Sequence, residues 1–114
     1  MSGWIGVDLD GTLAYYDRWN GSIGMPIMPM VERIRAWLAK GIEVRVVTAR
    51  VSGCEEEAAD QVKQIKAWCK EHIGFELEVT CKKDFAMIEL WDDRAVRVVA
   101  NTGQPCCSQF EVMG

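Results

Sequence analysis

The apolar residues of the chain fall into blocks whose spacing predicts strands and helices in alternation. Residues 4–7 form a short apolar run and residues 42–48 a longer, β-branched one, so both are predicted strands. Between them, apolar side chains recur at helical spacing over residues 29–40, and Gly41 then supplies a stop. The predicted apolar stripe of this helix comprises Met30, Ile34, Trp37 and Leu38. A strand, a helix and a second strand form a βαβ unit, which predicts a parallel sheet with a right-handed crossover.

The second half of the chain continues the alternation. Residues 52–55 match a capping box, which predicts a helix from there to about His72. Its predicted apolar stripe comprises Ala58, Val62, Ile65 and Cys69. Alternating apolar and acidic residues over 75–79, and apolar runs at 87–91 and 96–99, predict three further strands. The pattern as a whole is typical of an α/β protein.

Two segments lack periodicity. Residues 14–28 contain glycines, a proline and an adjacent Asn20 and Gly21 that predict a short hairpin turn within a flap-like loop. The aromatic residues of this loop either form part of a substrate wall or pack down to anchor the loop; they are Tyr15, Tyr16 and Trp19. Residues 101–114 are predicted to be an irregular tail.

Composition narrows the class of protein. The 114 residues are 49% hydrophobic and 26% charged, which predicts one globular domain over residues 1–114. The net charge of −4 gives no general attraction to nucleic acid, so such a partner is possible but not supported by charge. No apolar stretch is long enough to cross a bilayer, and the N-terminal residues do not resemble a signal peptide, so we expect a cytoplasmic protein without a membrane partner. Five cysteines without paired spacing predict free thiols, and nothing near Cys106 and Cys107 completes a metal-ligand set.

Acidic residues stand where two of the predicted strands end. Asp8 and Asp10 close the first strand, and Asp92 and Asp93 follow the strand at 87–91. In an open parallel sheet, the carboxyl ends of the strands meet at one edge, where ligands bind. Acids this close to one another repel unless a cation or a shared proton relieves them. Converging carboxylates favour a hard cation with oxygen ligands, most plausibly Mg²⁺.

The order of these residues resembles the motifs of the haloacid dehalogenase superfamily. Residues 7–13, Val-Asp-Leu-Asp-Gly-Thr-Leu, resemble its first motif, and the strand ending in Thr48 its second. The third motif is a lysine, for which Lys83 is the choice and Lys82 the alternative. Asp92 and Asp93 resemble the fourth motif in its paired-aspartate form. The resemblance implies a Rossmann-like three-layer α/β/α sandwich with a mostly parallel sheet, as a minimal core without a large cap.

The resemblance also implies a role for each residue. Asp8 would attack phosphorus and form an aspartyl-phosphate, while Asp10 would act as general acid and then as general base. The implied metal ligands are Asp8, Asp10, Asp92 and Asp93. The implied phosphate-binding groups are Thr48, Lys83 and the backbone after Asp8, including Gly11 and Thr12. Arg50 is expected to bind either a phosphate or carboxylate of the substrate or a surface ion-pair partner.

The predicted function is hydrolysis of a phosphate monoester by a magnesium-dependent phosphatase. The missing cap points to a large or polymeric substrate, such as a phosphorylated nucleic-acid end or protein, with a nucleotide as one candidate, or to a lid provided by a partner chain. The alternative is a binding module of the same fold that senses phosphate or magnesium without turnover. The sequence identifies neither the physiological substrate nor the oligomeric state.

Overall fold

A central sheet of four parallel strands organises the fold. The computed structural model describes residues 2–106. The strands are β1 (Trp4–Asp8), β2 (Glu43–Val47), β3 (Glu78–Thr80) and β4 (Met87–Trp91), in the order β3-β2-β1-β4. The helices are α1 (Met28–Ala39) and α2 (Glu55–His72), with a short 3-10 turn at Ala49–Val51. The predicted α/β class and parallel sheet are confirmed, and the Rossmann-like order places β1 between β2 and β4.

The apolar run of β1 is explained by its central position. Ile5 pairs with Val44 and Val7 with Val46 in the parallel register of β1 and β2. Trp4 and Val7 are fully buried, as expected of a strand with neighbours on both sides. Because β1 is hydrogen-bonded on both edges, its last residue, Asp8, is held firmly at the carboxyl edge of the sheet.

Both helices pack against the same face of the sheet. Ile5, Val7, Val44 and Val46 lie in one buried cluster with side chains from α1 and α2. The helical members are Met30, Val31 and Ile34 of α1 and Ile65, Trp68 and Cys69 of α2. The predicted stripes are confirmed for half of their residues: Met30, Ile34, Ile65 and Cys69 are buried, whereas Trp37, Leu38, Ala58 and Val62 are only partly buried. Trp68, which lay outside the predicted stripe, completes the face of α2.

The opposite face of the sheet has no helix over it within residues 2–106. Trp4 and Gly6 alternate with Ile5 and Val7 along β1, so they belong to this second face. A Cβ atom at Gly6 would meet the side chain of Leu90, which is 38% exposed. Ile88 is likewise half exposed. Within residues 2–106, helices α1 and α2 therefore flank the sheet on one face, while the other face is partly exposed.

Four local predictions are wrong in detail. The third strand covers Glu78–Thr80 instead of residues 75–79, because Leu77 turns into the core. The capping box does not form, since Cys54 is the N-cap of α2 and Ser52 donates its hydroxyl to the carbonyl of Ala49.

The two remaining corrections concern turns. Asn20 accepts hydrogen bonds from the amide and hydroxyl of Ser22, which makes a local turn instead of a hairpin of strands. Residues 96–99 form no regular strand; Val98 makes a single antiparallel bridge to Pro105. Of the predicted tail, residues 107–114 lie outside the described residues, and so does half of the Cys106–Cys107 pair.

Candidate active site

Three strands deliver polar residues to one edge of the sheet. Asp8 ends β1, Thr48 follows β2, and Asp92 follows β4. The strand order changes direction at β1, because β2 and β3 extend on one side of it and β4 lies on the other. Such a switch point opens a crevice at the carboxyl ends of the strands. The acids that end or follow β1 and β4 therefore lie at the same edge of the sheet, as the sequence predicts.

Three carboxylates meet in the crevice between β1 and β4. Asp8, Asp92 and Asp93 each offer one oxygen, and these three oxygens lie within 4.8 Å of one another. Asp8 and Asp92 are half-buried and Asp93 is exposed. One oxygen of Asp92 also accepts the amide hydrogen of Arg94 at 2.7 Å, which orients that carboxylate. The group is a set of hard oxygen donors of the kind that binds a divalent cation.

Asp8 is the most perturbed acid of the group. Burial, followed by the nearby carboxylates of Asp93, Asp92 and Asp10, raises the pKa of the Asp8 carboxyl to about 7. Each of these causes disfavours the ionised form, because desolvation and like charges both penalise a carboxylate. A cation in the crevice would reverse the balance by pairing with the ionised acid.

The turn after β1 holds Asp93 in place. The Thr12 hydroxyl donates to an oxygen of Asp93 at 3.1 Å and accepts the Asp93 amide at 3.0 Å. Gly11 has a φ of +92°, and a Cβ atom there would lie 2.5 Å from Asp93. The amide of Gly11 donates to the carbonyl of Ala14 at 2.8 Å. The structure shows that Gly11 and Thr12 position an acid of the cluster, and their predicted binding of the substrate stays a prediction.

Asp10 is separated from the other acids by an ion pair. Its two carboxylate oxygens accept from Nε and Nη2 of Arg50, both at 2.8 Å. The resemblance implies that Asp10 binds the metal through its backbone carbonyl; its carboxylate does not belong to the group formed by Asp8, Asp92 and Asp93. The physical reason is the bidentate fit of a guanidinium to a carboxylate, which holds the Asp10 carboxylate beside Arg50.

Arg50 connects the edge of the sheet to the loop at residues 14–28. Its side chain is only 4% exposed. Besides Asp10, it donates to the carbonyl of Ser22 at 2.9 Å, and its guanidinium carbon lies 4.7 Å from the centre of the Trp19 ring. Its Nη1 is buried without a hydrogen-bond partner among the described residues. Arg50 thus lines the pocket and is paired with Asp10, another residue of the site.

Thr48 is the buried polar residue of the edge. It is 3% exposed, and its hydroxyl accepts the amide hydrogen of Arg50 at 3.1 Å. Its own amide donates to Thr80 at the end of β3. Thr48 therefore starts the 3-10 turn that carries Arg50, and it also lines the pocket described next.

A pocket of about 780 Å³ opens above this edge. The acids Asp8, Asp10, Asp92 and Asp93 line it together with Tyr16, Trp19, Val47, Thr48, Ala49, Arg50, Ser52, Cys81 and Arg94. Ser52 and Cys81 had no predicted role in the site; the only available signal was that each follows a strand end closely in the sequence.

The two predicted phosphate-binding lysines do not line this pocket. Lys82 and Lys83 are both exposed. The loop that carries them is anchored through the next residue, Asp84. The Asp84 carboxylate accepts hydrogen bonds from the Trp4 indole at 2.8 Å and from Arg45 at 3.4 Å. The basic residues that line the pocket are Arg50 and Arg94.

The aromatic residues of the loop are exposed and do not pack down. Tyr16 and Trp19 are 44% and 59% exposed and both line the pocket. Tyr15 is also exposed and lines a separate, smaller cavity. The loop is anchored by other contacts, chiefly the Trp68 indole donating to the Gly24 carbonyl at 3.0 Å. Of the two interpretations of these aromatic residues, the structure favours the first for Tyr16 and Trp19, which form part of the pocket wall.

Comparison with known proteins supports the fold. The structure is similar to that of a conserved protein from Bacteroides thetaiotaomicron, with a TM-score of 0.59 and 22% sequence identity over 83% of this chain and 78% of that chain. No family model matches the chain. No curated protein matches it either. Within residues 2–106, neither helix has the length and apolar character needed to cross a membrane.

Proposed function

We propose that the protein is a magnesium-dependent phosphatase that hydrolyses a phosphate monoester through an aspartyl-phosphate on Asp8. The observation that carries the proposal is the meeting of Asp8, Asp92 and Asp93 within 4.8 Å at the edge of the sheet. Asp10, Thr48 and Arg50 line the same pocket. An acidic turn without chemistry would not need carboxylates from two strands in one crevice.

The three clustered acids fit a divalent cation. They provide oxygen ligands alone, which favours a hard ion such as Mg²⁺ over softer metals. The raised pKa of Asp8, caused by burial and by its acidic neighbours, shows a crowding of negative charge that such an ion would relieve. Asp8, Asp92 and Asp93 would hold the ion. When bound, Mg²⁺ supplies positive charge that lets an anionic phosphate approach an ionised carboxylate.

Asp8 is the proposed nucleophile because of where it sits. It ends the central strand, so its carboxylate is fixed at the floor of the pocket. One oxygen would attack phosphorus in line, forming an acyl phosphate as the bond to the leaving oxygen breaks. Water would then attack the same phosphorus and release phosphate, which restores the carboxylate.

Asp10 is the proposed proton carrier. It would donate a proton to the leaving oxygen and later accept one from the hydrolytic water. Both of its oxygens are held by Arg50, so this role requires one of them to leave the guanidinium. A phosphate is a competing bidentate partner for arginine, so binding of substrate would supply the exchange.

Arg50 is the proposed source of positive charge for the phosphoryl group, together with Arg94. Both line the pocket, whereas Lys83 is exposed outside it. A lysine in this role therefore stays a prediction from the resemblance. Thr48 would donate its hydroxyl hydrogen to a phosphoryl oxygen, since the hydroxyl oxygen already accepts the amide hydrogen of Arg50.

A second candidate function is a module that binds phosphate or magnesium without turnover. The specific observation in its favour is the bidentate pairing of Asp10 with Arg50, which occupies the proposed proton carrier. Under this function, the same three acids bind the ion, but no phosphate ester is cleaved.

Release of phosphate from a panel of phosphate monoesters, with and without Mg²⁺, tests the proposal. We expect turnover that requires Mg²⁺ and is lost in Asp8→Asn, while circular dichroism shows that the variant is folded. Asp17→Asn is the matched control, since Asp17 is exposed and lies outside the pocket. Binding of Mg²⁺ without turnover of any panel member would favour the module, and activity in Asp8→Asn would remove the nucleophile.

A further inference from the structure

We propose that the substrate carries a planar ring in addition to its phosphate, and that Trp19 stacks on this ring. The matching ligand class is a nucleoside monophosphate. The inference rests on the proposed function for the position of the phosphate. It goes beyond that function in naming the group that the leaving oxygen bears.

Trp19 is presented as a fixed, exposed platform. Its side chain is 59% exposed although it is large and apolar. One face of the ring lies on the Arg50 guanidinium, at 4.7 Å from the guanidinium carbon. Arg50 is itself fixed by Asp10 and by the carbonyl of Ser22. A ring held in this way stays available for a second partner at little entropic cost.

The position of Trp19 brings its ring close to the groups proposed to bind the phosphate. The Arg50 guanidinium contacts both the carboxylate of Asp10 and the ring of Trp19. A ligand whose phosphate binds beside Arg50 therefore has the Trp19 ring within reach of the rest of the molecule.

The pocket has the size and lining for such a ligand. Its volume of about 780 Å³ is far more than a phosphate group needs and is typical of sites for drug-sized molecules. Tyr16 and Ser52 also line it, and their side chains carry hydroxyl groups that can hydrogen-bond a sugar. Arg94 adds a second cation.

The charge of the molecule favours a small ligand over a polymer. The net charge is −4, and four acids line the pocket. A nucleic-acid strand places many phosphates along the protein surface and depends on basic residues to neutralise them. A single nucleotide needs only the cation site and the two arginines.

Ligand binding to the Asp8→Asn protein in excess Mg²⁺ tests the inference without turnover. The probes are adenosine monophosphate, ribose 5-phosphate, phenyl phosphate and inorganic phosphate, titrated by calorimetry. We expect adenosine monophosphate to bind about 5- to 150-fold more tightly than ribose 5-phosphate, the range that base stacking on an aromatic residue provides.

Trp19→Ala, added to the same background, should remove this preference and leave the affinity for inorganic phosphate unchanged. Trp19→Phe should restore most of the preference, because a smaller ring still stacks. Tyr15→Ala is the matched control, since Tyr15 is an exposed aromatic of the same loop that does not line this pocket.

Several outcomes would overturn the inference. These are equal affinity for adenosine monophosphate and ribose 5-phosphate, tighter binding of phenyl phosphate, tighter binding of a short oligonucleotide than of the monomer, or no binding of any probe. A loss of phosphate affinity in Trp19→Ala would show a structural role only. Turnover by the unmodified protein separates the two proposals: hydrolysis without a preference for a ring refutes only the inference, and Trp19-dependent binding without hydrolysis refutes only the phosphatase.

Discussion

At the scale of single residues, the acids of the crevice are arranged for binding at the expense of stability. Asp8 is half-buried at the end of the central strand, and its neighbours Asp92 and Asp93 carry the same charge. Burial and these neighbours raise the pKa of Asp8 to about 7. The folded protein therefore holds a proton that the unfolded chain loses at about pH 4. A bound cation would neutralise this repulsion among the carboxylates, and the energy released would contribute to its binding affinity.

Asp8→Asn should stabilise the metal-free protein at neutral and alkaline pH. The contribution of Asp8 to the free energy of unfolding is largest below about pH 4 and is lost as the pH rises to about 7, because the folded state then pays to ionise a buried acid. Asparagine carries no charge, so this loss disappears.

Thermal unfolding of both proteins in a chelator, over a series of pH values, measures this difference. We expect the melting temperature of Asp8→Asn to exceed that of the unmodified protein above neutral pH and the two curves to approach each other in acid. Parallel curves over the whole range would contradict the assignment. Asp17→Asn serves as the control, because Asp17 is exposed and outside the cluster.

Thr12→Val should weaken binding of Mg²⁺ by about 10- to 100-fold, the usual effect of removing a group that orients a metal ligand. Valine keeps the shape of threonine but makes neither of the two hydrogen bonds to Asp93. Calorimetric titration with Mg²⁺ measures the affinity. Thr12→Ser should restore most of it, and unchanged affinity in Thr12→Val would show that Asp93 needs no support from the turn.

At the scale of elements, helix α2 and the loop at residues 14–28 act together. The Trp68 side chain of α2 is almost fully buried, and its indole nitrogen donates a hydrogen bond to the carbonyl of Gly24 in the loop at 3.0 Å. The base of the loop is closed by the amide of Tyr15 on the carbonyl of Met25 and the amide of Ile27 on Leu13. The wall of the pocket is therefore tied to the core of the molecule, although the wall itself is exposed.

Trp68→Phe should loosen this tie. Loss of one neutral hydrogen bond lowers the free energy of unfolding by about 1 kcal/mol, and the smaller ring adds a packing loss. We expect faster hydrogen exchange at the amides of Tyr15 and Ile27, and lower stability in urea. Trp37→Phe is the matched control, because the indole nitrogen of Trp37 donates to no described residue and its ring packs against Trp91. Equal exchange in both variants would assign the loop another anchor.

At the scale of the whole molecule, the sheet has one buried face and one that helices leave open. The buried face is covered by α1 and α2, whereas Ile88 and Leu90 on β4 stay partly exposed on the other. Parallel sheets usually have both faces covered, which makes this arrangement uncommon. Trp4 is fully buried on the second face, but the other buried apolar side chains of the strands lie in the layer between the sheet and the two helices.

The same substitution on the two sides should have unequal costs. Ile34→Ala removes a fully buried side chain and should lower the free energy of unfolding by about 2–5 kcal/mol. Ile88→Ala removes a side chain that is 47% exposed, and we expect a cost of about 1 kcal/mol or less. Urea unfolding of the two variants measures both values. A cost for Ile88→Ala as large as that for Ile34→Ala would mean that the second face is buried in solution.

The sequence by itself determined the elements and the edge at which the acids meet. Apolar periodicity is a local property, so β1, β2, β4 and both helices were predicted to within a few residues, and acids at the ends of parallel strands must share an edge. The capping box and the strand at 75–79 were wrong because neighbouring bonds and the burial of Leu77 decided them.

Only the tertiary structure decided which partners the site residues have. Arg50 pairs with Asp10 across 40 residues and Thr12 with Asp93 across 81. Periodicity contains no information on such pairs, because they depend on how loops from different strands approach one another. The same holds for Lys83, which the anchoring of Asp84 leaves outside the pocket, and for Trp19, which Arg50 holds at its wall. Local spacing determines which side chains lie at the edge of the sheet, and long-range packing determines which of them contact one another in the pocket.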